Sequence, residues 1–174
     1  DKAGNCLAVV SGQGVLLTTY TKIHPFSYAN EDAHYQAGNS LKKVNIGGAT
    51  IGLTICYDLR FPELYQGYSK DCQVLLNIAN WPERRVTHWK ALIKARAIEN
   101  QVFVVGVNRI GKDGKGLLYV TSSHIVSPYG EVLKGKSLSE EVTLYELNLE
   151  EVTQYRTEFP VKNDRKTTLY KNIL

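Results

Sequence analysis

One cysteine stands at the point where an apolar segment gives way to the start of a helix. Residues 49–55 are mostly β-branched or apolar and follow Gly47-Gly48, which predicts a β-strand. Pro62 suits the first turn of a helix just beyond it. Cys56 therefore lies at a strand-to-helix turn, where backbone N–H groups lower the pKa of a thiol and bind a developing oxyanion. This position suits nucleophilic attack on an acyl carbon; the alternative is a buried cysteine that packs as a small hydrophobe.

Two further segments carry polar residues at strand ends. Lys22 ends a predicted strand in the sequence TKIHPF, and Glu31 follows after a short loop. A second apolar strand, residues 73–79, ends in Asn80 and Trp81. Ligands gather at the carboxyl ends of sheet strands in α/β folds, so these residues are candidates for the same site as the thiol. The alternatives are a solvated surface lysine, a loop carboxylate or helix cap, and a core tryptophan.

Four segments, taken in chain order, resemble the nitrilase superfamily, the carbon–nitrogen hydrolases. They are the lysine segment TKIHPF, the cysteine segment TICYDLRFPE, the strand end NWP and the helical run HWKALIKARAIENQ. The resemblance extends from about Asn5 to Tyr170. Separate motifs with compatible spacing make a specific match, whereas one of them alone would not.

The resemblance implies a Glu–Lys–Cys triad that hydrolyses amides. Cys56 would form a thioester, with Lys22 and the backbone N–H of Tyr57 stabilising the tetrahedral intermediate. Glu31 corresponds to a second glutamate that orients the lysine and keeps its amine charged. The triad glutamate of the family belongs to a segment that would precede Asp1, so the chain is expected to be N-terminally truncated. No carboxylate of this chain is assigned the role of general base, and the sequence contains no methionine.

Substrate contacts are expected beside the cysteine and at the second strand end, and the candidates are Tyr57, Asn80, Trp81 and Arg60. The arginine has two interpretations: a bidentate contact with a substrate carboxylate, or a structural ion pair. Its candidate ion-pair partners are Asp58, Glu63 and Glu99. The pair formed by Arg96 and Glu99 within the long helix is expected to be structural. The histidines are scattered, and the lysine match makes a Cys–His dyad unnecessary.

Within the superfamily, the resemblance is strongest to bacterial ω-amidases, through Asn80-Trp81-Pro82 and the segment NEDAHY at residues 30–35. It implies hydrolysis of a small ω-amide such as 2-oxoglutaramate to the carboxylate and ammonia. A deaminated-glutathione amidase is an alternative, since it would share the cysteine segment. A non-catalytic fragment or binding scaffold is the alternative from another class.

Composition narrows the class of protein. The chain has 174 residues, of which 43% are hydrophobic and 22% charged, as in an ordinary globular domain. The net charge of +4 comes from dispersed Lys and Arg, which gives no support to nucleic-acid binding. The longest apolar runs are strand-sized, so no membrane span is predicted. Three widely spaced cysteines favour a reducing cytoplasm over disulfides or structural zinc, and no cofactor or metal is expected.

The chain alternates predicted strands and helices, which indicates an α/β fold, and it is interpreted as one domain over residues 1–174. Strands are predicted at residues 6–11, 15–20, 42–46, 49–55, 73–79, 102–107, 123–126, 131–134 and 143–148, and helices at 62–69, 83–100 and 149–157. Residues 24–40 and 111–116 are expected to be loops, and the end of the chain a polar tail. The resemblance implies a four-layer αββα sandwich and a homodimer. The candidate dimer contacts are the helix after Cys56 and the tail beyond Phe159-Pro160.

Overall fold

A computed structural model describes residues 2–173, which form an α/β structure. The strands are β1 (Ala3–Gly4), β2 (Cys6–Val10), β3 (Leu16–Thr21), β4 (Tyr35–Gln36), β5 (Lys43–Ile46), β6 (Ala49–Ile55), β7 (Val74–Ala79), β8 (Phe103–Asn108), β9 (Gly111–Lys112), β10 (Leu118–Tyr119), β11 (His124–Val126), β12 (Lys136–Ser137) and β13 (Thr143–Leu144). The α-helices are α1 (Glu31–His34), α2 (Pro62–Tyr68), α3 (Val86–Asn100), α4 (Glu150–Glu158) and α5 (Thr167–Ile173). Short 3₁₀ turns occupy Ser27–Ala29, Cys56–Arg60, Glu83–Arg85 and Val161–Asp164.

A five-stranded sheet forms the centre of the structure, in the order β11-β8-β7-β6-β5. Its three middle strands run parallel, and β5 and β11 pair antiparallel at the two edges. The registers place Leu53 beside Leu76 and Leu76 beside Val105. The carboxyl ends of β6, β7 and β8 therefore meet at one edge of the sheet, which is where α/β proteins place their ligands.

Helices α2 and α3 cover one face of this sheet. The long helix packs through one apolar face, because Trp89, Ile93 and Ala97 are buried against Val104 and other sheet residues. The helix begins at Val86, three residues after its predicted start, because residues 83–85 form a 3₁₀ turn. Such turns are frequent at the ends of α-helices.

The hairpin β2–β3 packs on the opposite face of the sheet. Leu7 and Tyr20 of the hairpin are buried against Leu53 and Ile55 of β6. Helices, sheet and hairpin thus form successive layers of the expected αββα sandwich. The same packing brings the end of β3, which carries Lys22, next to the end of β6.

The C-terminal third departs most from the sequence prediction. Residues 131–134 form no strand, and a single bridge joins Val126 to Val132. The strand predicted at 143–148 is limited to Thr143–Leu144, because Tyr145 and Leu147 instead pack their side chains against the sheet core around Phe103. The expected polar tail contains a 3₁₀ turn and α5.

The two predicted loops are also more ordered than expected. Residues 24–40 contain a 3₁₀ turn, α1 and β4, and β4 pairs with β1. Residues 111–116 belong to a small hairpin, because β9 pairs with β10. Asp113 orders this hairpin by accepting hydrogen bonds from the backbone of Lys115 and Leu117 and from the hydroxyl of Tyr119. Among residues 2–173, no helix is long and apolar enough to span a membrane.

Candidate active site

Lys22 and Glu31 form a close ion pair at the end of β3. The lysine Nζ lies 2.6 Å from the glutamate Oε2, and the lysine is only 3% exposed. Glu31 also accepts hydrogen bonds of 2.7 Å from Asn5 Nδ2 and from the backbone N–H of Phe26. A buried lysine needs a charged partner of this kind, so the alternative of a solvated surface lysine is wrong.

The pKa of Glu31 follows from these contacts. Partial burial raises the pKa of this carboxyl, but the hydrogen bonds from Lys22, Phe26 and Asn5 outweigh burial and hold the pKa below its usual value. The carboxylate is therefore charged at neutral pH and fixes the ammonium in place. The structure thus brings the glutamate singled out by the resemblance into direct contact with the lysine.

Cys56 begins the 3₁₀ turn that follows β6. Its φ of 46° lies in the left-handed region, which costs a non-glycine residue about 1–3 kcal/mol and is often found at functional sites. The buried carboxylate of Asp58 holds the turn, accepting from the backbone N–H of Ile55 at 3.0 Å and from the Tyr20 hydroxyl at 2.7 Å. It also accepts from the backbone N–H of His24 at 3.0 Å. The side chain of Asp58 thus ties the cysteine turn to the lysine strand.

Opposing effects act on the Cys56 thiol. Burial raises the pKa of the thiol, while the positive charge of Lys22 lowers it, and burial has the larger effect. The sulfur lies 3.9 Å from the backbone oxygen of Asn80. The thiol is therefore neutral at rest and needs a base to become a nucleophile.

A cavity of about 550 Å³ brings these groups together. Its lining includes Lys22, Glu31, Cys56 and Asn80, so all three predicted catalytic residues meet at one cavity. A side cavity of about 40 Å³ shares Phe26, Cys56 and Asn80 with it. The remaining lining of the side cavity is Tyr57, Arg60, Trp81, Pro82 and Arg85. All four predicted substrate-binding residues therefore border the cysteine.

Trp81 combines core packing with a position on the cavity wall. It is 3% exposed, and its ring centroid lies 5.5 Å from that of Trp89. Its indole Nε1 donates to the backbone oxygen of Arg85 at 2.7 Å, and its backbone N–H donates to Asn108 Oδ1 at 2.7 Å. Asn80, in contrast, is exposed at the strand end. Trp81 thus supports the wall of the side cavity from the core, and Asn80 lines the same cavity from the strand end.

The predicted structural ion pair of Arg60 is wrong. Among residues 2–173, no carboxylate oxygen lies within 4.0 Å of its guanidinium. The buried Asp58 is already hydrogen-bonded to other groups. Glu99 instead pairs with Arg96 at 3.0 Å, which confirms the predicted pair within the long helix. Arg60 lies over the Trp81 ring, 5.1 Å from its centroid, and faces the side cavity.

Several residues of the site escaped the sequence prediction. Asn5 and Arg85 reach it through contacts between distant segments, and nothing in their local sequence signals this. Asn108 and Arg109 line the main cavity at the end of β8. The rule that parallel strands gather ligands at their carboxyl ends would have identified that second pair. Within the part of the chain that the structure describes, no cluster of His, Cys, Asp or Glu could hold a metal ion.

A parallel-sheet edge that joins a thiol, an ammonium and a carboxylate at one cavity is the arrangement expected of a cysteine-dependent acyl-transfer enzyme. The carbon–nitrogen hydrolase family model matches residues 1–157. The chain belongs to the carbon–nitrogen hydrolase family, as an amidase, and the resemblance to the nitrilase superfamily is confirmed.

Individual relatives agree with this assignment. The chain is 36% identical to omega-amidase YafV of Escherichia coli K12 over 182 residues, covering 94% of this chain and 71% of the relative. It is 40% identical to 2-oxoglutaramate amidase of Paenarthrobacter nicotinovorans over 163 residues, covering 90% and 55%. The crystal structure of XC1258 from Xanthomonas campestris, a CN-hydrolase superfamily protein with an arsenic adduct in its active site, superposes with a TM-score of 0.81 at 32% identity, covering 94% and 64%. The chain thus spans between 55% and 71% of the length of these proteins.

Proposed function

We propose that the protein hydrolyses the terminal carboxamide of a small ω-amide such as 2-oxoglutaramate, releasing the carboxylate and ammonia. The observation that carries this proposal is that Cys56, Lys22 and Glu31 line one cavity. The names of the relatives support it, since one is an omega-amidase and another a 2-oxoglutaramate amidase. An amide carbon placed at the Cys56 sulfur would lie beside a fixed ammonium.

The reaction proceeds through a thioester. The Cys56 sulfur bonds to the amide carbon, the carbon–nitrogen bond breaks, and the thiol proton leaves with the nitrogen as ammonia. Water then attacks the thioester and restores the thiol. The family's general-base glutamate would carry these protons, and no residue among 1–174 is assigned that role. The raised pKa of the thiol is the physical reason why a base is needed.

Lys22 and the backbone N–H of Tyr57 stabilise the oxyanion of the tetrahedral intermediate. The ion pair with Glu31 at 2.6 Å supports the lysine role, because it fixes the ammonium before the substrate arrives. A preorganised charge in a partly buried cavity stabilises a developing anion more than a mobile one in water does. Glu31 acts here as a positioning residue, since it holds the lysine.

The substrate lies between the main cavity and the side cavity. Asn80 borders the amide end, because it lines both cavities. Tyr57 and Trp81 line the side cavity with Arg60, which offers its guanidinium to the acid end. The lack of a carboxylate partner for Arg60 among residues 2–173 supports this role. A planar guanidinium binds a carboxylate through two parallel N–H groups.

Further parts of the proposal concern assembly and location. The chain pairs as a homodimer through α2 and the tail beyond Phe159. It works in a reducing cytoplasm, which its free thiols at Cys6, Cys56 and Cys72 support. Cell fractionation is the check on the location, with the protein expected in the cytoplasmic fraction.

Ammonia release from 2-oxoglutaramate by the full-length protein tests the function. The Cys56→Ala variant should lose at least about a thousandfold in kcat/KM, since it lacks the nucleophile. Cys6→Ala is the matched control, because that thiol is exposed on β2 and should leave the rate unchanged. Glutamine and deaminated glutathione serve as comparison substrates. A folded protein that hydrolyses none of these amides, or one in which Cys56→Ala retains the rate, contradicts the proposal.

A further inference from the structure

Two arginines converge on the side cavity beside the cysteine. Arg60 lies over the Trp81 ring at 5.1 Å, and Arg85 lies over the Phe26 ring at 5.6 Å from its centroid. Both aromatic residues line the same cavity as the two arginines. The aromatic faces hold the guanidiniums by cation–π contact. Arg60 Nη2 lies 3.3 Å from His88 Nδ1, and the other N–H groups at the edges of the two guanidiniums can face a ligand.

No acidic residue compensates these charges. Among residues 2–173, neither Arg60 nor Arg85 has a carboxylate oxygen within 4.0 Å, and the lining of the side cavity contains no Asp or Glu. Glu31 in the adjoining cavity is already bonded to Lys22. Burial, and then the repulsion of Arg84 and Arg60, lowers the pKa of Arg85. Two like charges in a partly buried wall are unfavourable unless an anion joins them.

We propose that Arg85 and Arg60 together form the subsite for the acid end of the substrate, binding its carboxylate and the adjacent 2-oxo oxygen. This inference rests on the proposed function and makes Arg85 a specificity-determining residue. A 2-oxo acid presents several acceptor oxygens and no cation to this pair. An amino acid such as glutamine presents an ammonium group at the same carbon, which the guanidiniums repel. The pair therefore selects 2-oxo acid amides over amino acid amides and over uncharged amides.

The size and place of the side cavity fit this division of the substrate. Its volume of about 40 Å³ exceeds the roughly 10–15 Å³ that a single water requires, which leaves room for a small polar group. The main cavity, at about 550 Å³, takes the rest of the molecule. Cys56 borders both, so a substrate anchored by its acid end in the side cavity keeps its amide within reach of the sulfur.

Binding of 2-oxoglutarate tests the subsite without turnover. The probe is titrated by calorimetry into the full-length Cys56→Ala protein, with and without Arg85→Gln. We expect Arg85→Gln to raise the dissociation constant at least about tenfold, because charge-assisted hydrogen bonds to the anion are lost. Arg84→Gln is the matched control, because it removes the same charge from an exposed residue that does not line the cavity. It should change the dissociation constant less than about twofold.

Equal affinity in the parent and Arg85→Gln proteins overturns the inference, as does an equal loss in Arg84→Gln, which would indicate only a general effect of charge. Kinetics give a second readout in the active protein: the ratio of kcat/KM for 2-oxoglutaramate to that for pentanamide should fall at least about tenfold in Arg85→Gln. An unchanged ratio also overturns it. A protein that binds 2-oxoglutarate through Arg85 yet hydrolyses no amide would disprove the proposed function and leave the anion subsite standing.

Discussion

The charge state of Cys56 depends on a balance that its neighbours set. Burial keeps the thiol neutral at rest, and the ammonium of Lys22 reduces the energetic cost of forming the thiolate. Glu31 offsets part of the pKa lowering by Lys22, because its own negative charge raises the pKa of the thiol. The arrangement suits a nucleophile that is activated only when a base takes its proton.

We therefore expect Lys22→Met to raise the pKa of the Cys56 thiol. The substitution removes the positive charge that lowers the pKa and leaves Glu31 uncompensated, and both effects act in the same direction. Alkylation of Cys56 by iodoacetamide, followed by mass spectrometry across pH 6–10 in a Cys6→Ala background, measures the shift. The reaction profile should move to higher pH.

Lys90→Met is the control for that alkylation experiment, because Lys90 is exposed on α3. Its profile should match that of the parent protein. A profile for Lys22→Met that stays in place, or moves to lower pH, would show that the ammonium does not act on the sulfur.

The sequence could identify Cys56, Lys22 and Asn80 as site candidates because each follows a predicted strand. That local pattern carries over to the structure, where they follow β6, β3 and β7. Asn5 could not be found in this way, since it bonds to Glu31 across 26 positions of the chain. Arg85 likewise needs Phe26 and Trp81 beside it before its role can be seen.

At the scale of elements, α3 lies very close to β8 at Gly106. A Cβ added at Gly106 would lie 2.2 Å from Ile93 Cδ1 and 2.8 Å from the Trp89 ring. The glycine thus allows the helix to lie directly on the strand. Because Trp89 contacts Trp81, this packing also supports the wall of the site.

Gly106→Ala should destabilise the protein by about 1–3 kcal/mol, since the new methyl group displaces Ile93 and Trp89 in a filled core. The free energy of unfolding in urea measures the effect. Gly114→Ala is the matched control, because nothing lies within 4 Å of a Cβ at that exposed turn. Equal stability of the two variants would show that α3 can move away from the strand at little cost.

Element prediction succeeded where a neighbouring strand pairs along the whole segment. The strand predicted at residues 49–55 matches β6, whose residues pair with β5 and β7. The predicted strand at 131–134 contains the apolar Val132 and Leu133, but its pairing is limited to one bridge. Strand propensity indicates a surface that could pair, and the partner strand decides whether it does.

At the scale of the whole molecule, the C-terminal segment packs back on the helix after the cysteine. Lys162 Nζ donates to the backbone oxygen of Ser69 at 2.8 Å, and Arg165 donates to the side chain of Gln66. Gln101 Nε2 donates to the backbone oxygen of Phe159 at 2.8 Å. The α/β alternation could not predict this return, because its contacts join segments about 60 to 100 positions apart.

This packing places the two candidate dimer contacts, α2 and the tail, on one continuous surface. In the tail, Phe159, Leu169 and Ile173 are exposed, and the last two lie four positions apart on one side of α5. Exposed apolar residues on one side of a helix are typical of an interface. A second copy of the chain, covering the same surface on its partner, would remove them from water.

Sedimentation equilibrium of the full-length protein should therefore give twice the monomer mass at micromolar concentration. Leu169→Glu should raise the dissociation constant of the dimer at least about tenfold, because a charge would be buried without a partner. Val142→Glu is the matched control: Val142 is equally apolar and exposed but lies in the turn between β12 and β13. A parent protein that sediments as a monomer, or equal dissociation in both variants, would show that copies of the chain do not pair through α5.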